Sequence, residues 1–291
     1  MTFKLQAGPS LHCYKMQGSG NDFLLLINDE IGLAPEDMPL YAQKLCRRSF
    51  GPGADGLIIL ETANGPQETD YRWHFFNADG SRAEMCGNGS RCAARLAYEL
   101  GLAPREHLLG TDVGPVKAEV LPESEEVKVQ LTSPSDLNLG TVLDLENGYS
   151  LTLHSVNTGV PHAVVFAVSA QDVDLKQTGP AIRFHPHFAP AGANVNIVEV
   201  RDAESLTVRT YERGVEDETY ACGTGAAASA YIAHRLGYCG PRVEVVTSGG
   251  ERMRISLEGE DVFLQGEAWI IYEARVNAPA LSLPVPEKSP S

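Results

Sequence analysis

Cys86-Gly87-Asn88-Gly89 and Cys222-Gly223-Thr224-Gly225 are two versions of one short stretch, and each runs into an alanine-rich segment that closes on a leucine-glycine pair. Behind the first, Ala93, Leu96, Ala97 and Leu100 fall at i, i+3, i+4 and i+7. Behind the second, Ser229, Ile232, Ala233 and Leu236 take the matching places, so each stretch predicts a helix with its cysteine at the start. Gly101 and Gly237 read as the left-handed stops that end helices. A glycine-rich turn entering a helix leaves backbone N–H groups unpaired and carries partial positive charge, which favours thiolates and bound carboxylates alike. Two thiols in that setting suggest an acid and a base.

The flanks carry a wider repeat. Gly20-Asn21-Asp22 before an apolar run lines up with Gly159-Val160-Pro161-His162 before another. At the same offset Gly53-Ala54-Asp55 lines up with Gly192-Ala193-Asn194, and the cysteine pair follows in the same order. Two copies of one unit, each with its own cysteine helix, make a two-lobed protein.

With 291 residues, 43% hydrophobic and 21% charged, the chain can bury two cores of ordinary size. A formal charge of -15 without clustered Lys and Arg argues against nucleic acid or an anionic membrane and for a small-molecule partner. The first residues lack the apolar core of a signal peptide, and no apolar run approaches a membrane span, so a cytoplasmic location is expected. The oligomeric state stays open, with a homodimer admitted. Six cysteines are even in number, yet a chain with this much apolar content needs no disulfide framework. No Cys-x-x-Cys pair exists, and His185-Pro186-His187 has no nearby cysteine or acidic partner, so no metal is expected.

Strand-like runs dominate between the helices: 23–27, 57–60, 73–76, 116–120 and 127–131 in the first half, then 163–168, 195–200, 206–211, 243–246, 253–257 and 262–265. A further helix is expected over about 39–48, and Ser133-Pro134-Ser135-Asp136 reads as the loop between halves. Strands in runs with few helices indicate α+β rather than alternating βαβ. The expected division is an N-terminal lobe over 1–135, a C-terminal lobe over 136–276 whose last strand returns to the first, and a mobile Pro- and Ser-rich tail over 277–291.

Three spaced motifs carry a specific resemblance: Met16-x-Gly18-x-Gly20-Asn21-Asp22-Phe23; Phe76-Asn77-Ala78-Asp79-Gly80-Ser81 leading to Cys86-Gly87-Asn88-Gly89-x-Arg91-Cys92; and Tyr211-Glu212-Arg213-Gly214 leading to Cys222-Gly223-Thr224-Gly225-Ala226. Over about 14–273 the chain resembles the diaminopimelate epimerases. The resemblance implies two pseudo-symmetric α+β lobes, each a mainly antiparallel sheet wrapped around a central helix, with substrate held between them. It also implies cofactor-independent epimerisation of LL- to meso-diaminopimelate for lysine and peptidoglycan precursor synthesis. By motif position Cys86 and Cys222 would be the acid/base pair. Asn77 and Glu212 would hold the reacting ammonium, and Asn21, Asn194 and Arg213 the far end of the substrate. His162 matches the family's Pro-His position.

The chemistry fits that assignment. Inverting an α-carbon means removing a proton from one face and delivering one to the other, so two groups are needed, and cysteine's pKa of about 8.5 is lowered at helix starts. Backbone N–H groups of Gly87, Asn88, Gly223 and Thr224 could bind the charge that develops on the carboxylate. Pyridoxal phosphate would need a lysine in a phosphate-cradling context, and none of the seven lysines has one.

Each assignment has a plain rival. Buried cysteines are usually small core hydrophobes, the reading taken for Cys13, Cys46, Cys92 and Cys239. Asn21, Asn77 and Asn194 could be turn residues, and Glu212-Arg213 a surface ion pair. Three departures from the family pattern bear on the substrate. Val160 stands where the family has asparagine, with Asn157 as a compensating candidate; Gln17 replaces a histidine; and the stretch between Arg213 and Cys222 is longer by one. Another cofactor-independent racemase on the same fold, of histidine or proline type, therefore remains an alternative, as does a non-catalytic ligand-binding or thiol-redox protein.

Overall fold

A computed structural model of the chain describes residues 9–62, 69–83, 85–145 and 148–284. The first strands are β1 (Ser10–Gly18) and β2 (Asn21–Ile27), followed by the single turn α1 (Asn28–Ile31), α2 (Met38–Leu45), β3 (Gly56–Thr62) and β4 (Tyr71–Asn77). Then come α3 (Gly87–Glu99), β5 (Glu106–Thr111), β6 (Gly114–Leu121) and β7 (Glu126–Gln130). The second half runs β8 (Ser135–Asp144), β9 (Ser150–Asn157), β10 (Pro161–Phe166), α4 (Leu175–Arg183), β11 (Asn194–Asp202), β12 (Ser205–Glu212) and β13 (Asp217–Thr219). It ends with α5 (Gly223–Arg235), β14 (Arg242–Thr247), β15 (Arg252–Glu258), β16 (Asp261–Glu267) and β17 (Trp269–Asn277). Two compact units result, Met1–Val127 with Glu267–Ser291, and Lys128–Gly266.

Strand pairing within the first unit repeats in the second. β1 and β2 are antiparallel, β2 and β3 parallel, β3 and β4 antiparallel, β4 and β5 parallel, and β5 and β6 antiparallel. The second unit has β9–β10 antiparallel, β10–β11 parallel, β11–β12 antiparallel, β12–β14 parallel and β14–β15 antiparallel. β17 extends the first sheet beside β1, and β8 extends the second beside β9. Parallel neighbours need a crossover, and the crossover from β4 to β5 is α3 while that from β12 to β14 is α5. The two cysteine helices thus occupy the same topological position, and the fold is α+β.

Both helices are wrapped by their sheets. α3 packs on β1, β2, β3, β6 and β17, and α5 on β9, β10, β11, β12, β14 and β15. A helix covered on all sides has no polar face to show, and only small side chains let strands close on it. Ala93, Ala94 and Ala97 in α3, and Ala226, Ala227, Ala228, Ala230 and Ala233 in α5, are accordingly buried. Gly101 (φ 69°) and Gly237 (φ 77°) end them in the left-handed conformation expected of such stops.

Several elements differ from the sequence reading. The boundary falls after Val127 rather than after residue 135, because β7 pairs with β16 and Leu131 N–H donates to Val262 O. The stretch expected as an interdomain loop opens β8, an exposed strand whose polar pattern gives no alternation to read. Helix α4 contains Gly179-Pro180, a pair that reads as a breaker. Gly179 is there for contact, since a Cβ on it would lie 2.6 Å from the Tyr211 ring. The tail expected to be mobile from Asn277 packs over its described part. Ala278 and Leu283 are buried in the first core, and Tyr41 Oη donates to the Pro284 carbonyl. Residues 285–291 lie outside the described residues.

Candidate active site

In the first unit Cys86 is the N-cap of α3, extended at φ -150°, and its Sγ accepts from Gly89 N–H at 3.4 Å. Ser90 N–H makes the first intrahelical bond, to Cys86 O, which leaves the N–H groups of Gly87 and Asn88 ahead of the helical ladder. Asn21 Oδ1 lies 3.8 Å from Cys86 Sγ, while Asn21 Nδ2 donates to Asp55 Oδ2 at 2.7 Å. That second bond fixes which end of the amide meets sulfur: the nitrogen must face the carboxylate, so the oxygen faces the thiol.

Around Asp55 lies a charged network that sequence reasoning did not assign. Arg48 pairs with Asp22 (2.6 Å) and Asp55 (2.9 Å), and the buried Lys15 ammonium donates to Asp22 and to Gly53 O. Burial pushes the Asp22 carboxyl up, but hydrogen bonds from Arg48 and Lys15 outweigh it and hold the group below the ordinary carboxylate range. Arg91, fully buried in α3, donates to Asn88 Oδ1 (3.0 Å) and Ser19 Oγ (2.8 Å). One guanidinium therefore ties the helix start to the β1–β2 turn that carries Asn21. This contact takes up the carbonyl oxygen of the Asn88 side chain, so a ligand there would meet its amide nitrogen or its backbone N–H.

Asn77 ends β4 opposite Gly56, which itself pairs with Phe23, so Asn77 and Asn21 share one end of the sheet. Its Nδ2 donates to Ser81 Oγ at 2.9 Å, so the carbonyl oxygen is the end suited to an ammonium.

In the second unit Cys222 is the N-cap of α5, extended at φ -128°, with Sγ 3.5 Å from Thr224 Oγ1. Thr224 is held twice more: its carbonyl accepts from Thr158 Oγ1 (3.0 Å), and its hydroxyl meets His162 Nε2 (3.0 Å). His162 is fully buried; burial, then the positive charge of Arg213, drives its pKa down to about 3, so it is neutral. Asn196 Nδ2 lies 3.1 Å from His162 Nδ1 and donates to Ala163 O at 3.0 Å, and Asn196 Oδ1 accepts from Thr210 Oγ1 at 3.0 Å. Gly223 and Thr224 supply the leading backbone N–H groups of α5.

Asn194 pairs with His162 in the β10–β11 register and accepts from Arg213 N–H at 2.7 Å. Arg213 Nη1 reaches Ala191 O at 3.5 Å, and the nearby Glu216 is engaged by Arg183 at 3.1 Å. Among the described residues no carboxylate forms an ion pair with Arg213. Glu212 is half-buried, and desolvation raises its pKa above the ordinary carboxylate value. Asn157 Oδ1 accepts from Gly159 N–H at 3.0 Å, so its amide nitrogen is what could stand in for the asparagine replaced by Val160. The second unit thus gathers Cys222, Thr224, His162, Asn194 and Arg213 where α5 begins, with Glu212 next to Arg213 at the end of β12.

The four other thiols are unlike these two. Cys13, Cys46, Cys92 and Cys239 are buried, and desolvation pushes Cys13 and Cys239 up to about 11 and Cys46 and Cys92 to about 12. Only Cys86 and Cys222 are partly exposed. Lys15, Arg48, Arg91, Thr158 and Asn196 are the residues the sequence reading passed over. A legible signal existed for Asn196, two positions from Asn194 on one strand and hence on the same face, an amide inside an apolar run.

No helix among the described residues is long and apolar enough to cross a membrane. The solved structures similar to this chain show the same fold at low identity. A hydroxyproline epimerase from Agrobacterium vitis aligns with TM-score 0.68 and 16% identity over 94% of each chain. A methylitaconate-delta-isomerase aligns with TM-score 0.68 and 15% identity over 98% of this chain and 99% of its own. The sequence comparisons reach further. The family model for diaminopimelate epimerase matches residues 13–137 and 154–271. A protein of that name from Hydrogenobaculum sp. (strain Y04AAS1) is 42% identical over 275 residues, 90% of this chain and 97% of that one. Another from Aquifex aeolicus (strain VF5) is 42% identical over 280 residues, 92% and 98% of the two chains. Matched by the family model over most of its length and by these relatives at 42% identity nearly end to end, the chain belongs to the diaminopimelate epimerase family.

Proposed function

We propose that this chain interconverts LL- and meso-diaminopimelate in the cytoplasm without a cofactor, with Cys86 and Cys222 as acid and base. The reading rests on one observation above the others: two partly exposed thiols stand at the N-caps of topologically equivalent helices, in a chain whose relatives carry that name. A single base cannot serve both faces of a carbon, and the duplicated unit supplies two.

In this reading the thiolate of one cysteine removes the α-proton, and the other thiol delivers a proton to the opposite face. The carbanion places charge on the α-carboxylate, where N–H groups at the starts of α3 and α5 stabilise it; such preorganised donors are typically worth about 3–4 kcal/mol each. Glu212 as carboxylate and Asn77 Oδ1 accept from the α-ammonium. Asn21, Asn157, Asn194 and Arg213 recognise the distal end.

Solvent-deuterium exchange into diaminopimelate tests the reaction, with rapid exchange at Cα expected. Cys86→Ala or Cys222→Ala should each lower turnover in both directions by about 10²–10⁴-fold or more. Near-normal turnover in either variant would remove the two-thiol mechanism. Fast exchange into histidine or proline instead of diaminopimelate would favour a general racemase.

A further inference from the structure

The geometry points to Asn196 as a positioning residue that sets the direction of a hydrogen-bond chain ending on Cys222, so that the Thr224 hydroxyl donates to the sulfur. The inference rests on the proposed function only for the use made of that thiol. It is otherwise a statement about four side chains of one unit.

The argument starts at the carbonyl of Ala163, which can only accept. Asn196 Nδ2 lies 3.0 Å from it and Asn196 Oδ1 lies 3.0 Å from Thr210 Oγ1, so the amide nitrogen and oxygen are unambiguous. The second hydrogen on Nδ2 meets His162 Nδ1 at 3.1 Å. A ring nitrogen facing an N–H must present its lone pair, and a neutral imidazole then carries its proton on Nε2. That Nε2–H meets Thr224 Oγ1 at 3.0 Å and must donate to it. With one lone pair of the hydroxyl taken, its own hydrogen is available to Cys222 Sγ, 3.5 Å away. The Thr158 hydroxyl fixes the Thr224 carbonyl and so the position of this hydroxyl.

Every link depends on His162 staying neutral. The ring is buried, and Arg213 is the charged group acting on it, with a sign that disfavours the imidazolium. Had the ring carried its proton on Nδ1, the Thr224 hydroxyl would be drawn toward Nε2 and Cys222 would face an oxygen lone pair, which disfavours thiolate. Asn196 selects between these two arrangements without touching substrate or sulfur.

Two readouts test the assignment. Nitrogen-15 NMR of histidine-labelled protein should find His162 as the Nε2–H tautomer throughout the near-neutral range. The pH dependence of iodoacetamide alkylation, resolved by mass spectrometry, follows each thiolate separately. Asn196→Leu should slow alkylation of Cys222 at neutral pH on the order of tenfold while leaving Cys86 unchanged. Thr224→Val should do the same, and Thr224→Ser, which keeps the hydroxyl, should not. An Nδ1–H tautomer or an imidazolium in the unmodified protein would overturn the assignment. So would an Asn196→Leu protein in which Cys222 titrates unchanged, or in which both thiols shift together. Should Asn196→Leu fail to fold, the wild-type tautomer and the two Thr224 variants decide. Absence of diaminopimelate turnover alongside the expected titrations would count against the proposed reaction and not against this assignment.

Discussion

A Cβ placed on Gly225 would lie 2.4 Å from Asn196 Oδ1 and 3.3 Å from Cys222 Sγ. The third residue after Cys222 is glycine because the Asn196 amide beside His162 occupies the space a side chain would need. Gly225→Ala should therefore cost about 1–3 kcal/mol, as overpacking does in well-filled sites, and should disturb Cys222 reactivity as well. The equivalent Gly89 is less confined: its nearest contact is the flexible end of Ile58, at 3.2 Å. Thermal unfolding should show a smaller loss for Gly89→Ala; equal losses would mean that the Asn196 contact is not the cause.

Glu212 sets function against stability. Burial raises its pKa in the folded protein, so the folded state holds a proton more firmly than the unfolded chain. The stability that follows is fully present below the ordinary carboxylate pKa and is lost as pH rises through the elevated folded value. Glu212→Gln should consequently unfold at a higher temperature than wild type at neutral pH, with the advantage vanishing in acid. If Glu212 holds the substrate ammonium as proposed, the same variant should also lose a charge-assisted hydrogen bond worth about 1.5–3 kcal/mol, or roughly 10- to 150-fold in kcat/KM. A variant destabilised at neutral pH would contradict the burial argument.

Much of this was legible in the chain because duplication made each half a control for the other. The paired cysteine stretches located two helix starts, and the aligned Asn21 and His162 turns and Asp55 and Asn194 turns located the strand ends that share their end of each sheet. What stayed hidden were residues whose role depends on a partner distant in sequence. Arg91 stands in the first cysteine motif, but its role shows only in its contacts with Ser19 and Asn88, and Lys15 gives no hint in sequence that it is buried against Asp22. Strands β1 and β8 escaped for another reason, and of β17 only a return of the last strand to the first lobe was expected: their partners, not their composition, make them strands. The exposed Trp269, Ile270, Ile271 and Tyr272 of β17 show no alternation between faces.

His162 should make the second unit sensitive to mild acid. Its pKa of about 3 in the folded protein lies well below the ordinary histidine value of 6.5, so the unfolded chain gains a proton that the folded one refuses. Stability from this group is complete above pH 6.5 and is lost as pH falls toward 3. Within that window one proton contributes a slope of about 1.4 kcal/mol per pH unit. Urea unfolding of wild type and His162→Gln across this range should show the slope in the former and a flatter curve in the latter. Parallel curves would mean that the imidazole is protonated in the native state.

On the proposed function, substrate choice should turn on Arg213 and Val160. Diaminopimelate differs from lysine by a second carboxylate, and Arg213 presents a guanidinium with no carboxylate partner among the described residues, since Arg183 engages Glu216. A planar fork of donors suits a carboxylate, and lysine would leave it unmatched. Leaving such a charge without its partner typically costs about 2–5 kcal/mol, roughly 30- to 5,000-fold in discrimination. The asparagine replaced by Val160 could have supplied one neutral hydrogen bond, worth about 0.5–1.5 kcal/mol, and the Asn157 amide nitrogen remains nearby in sequence to offset part of it. The charge contribution is larger, so diaminopimelate should be preferred over lysine despite Val160. Arg213→Met should erase most of that preference, chiefly by raising KM for diaminopimelate. Val160→Asn should change it less than tenfold or so. Comparable kcat/KM for lysine in the unmodified protein, or an Arg213→Met variant with its preference intact, would show that the second carboxylate is recognised elsewhere.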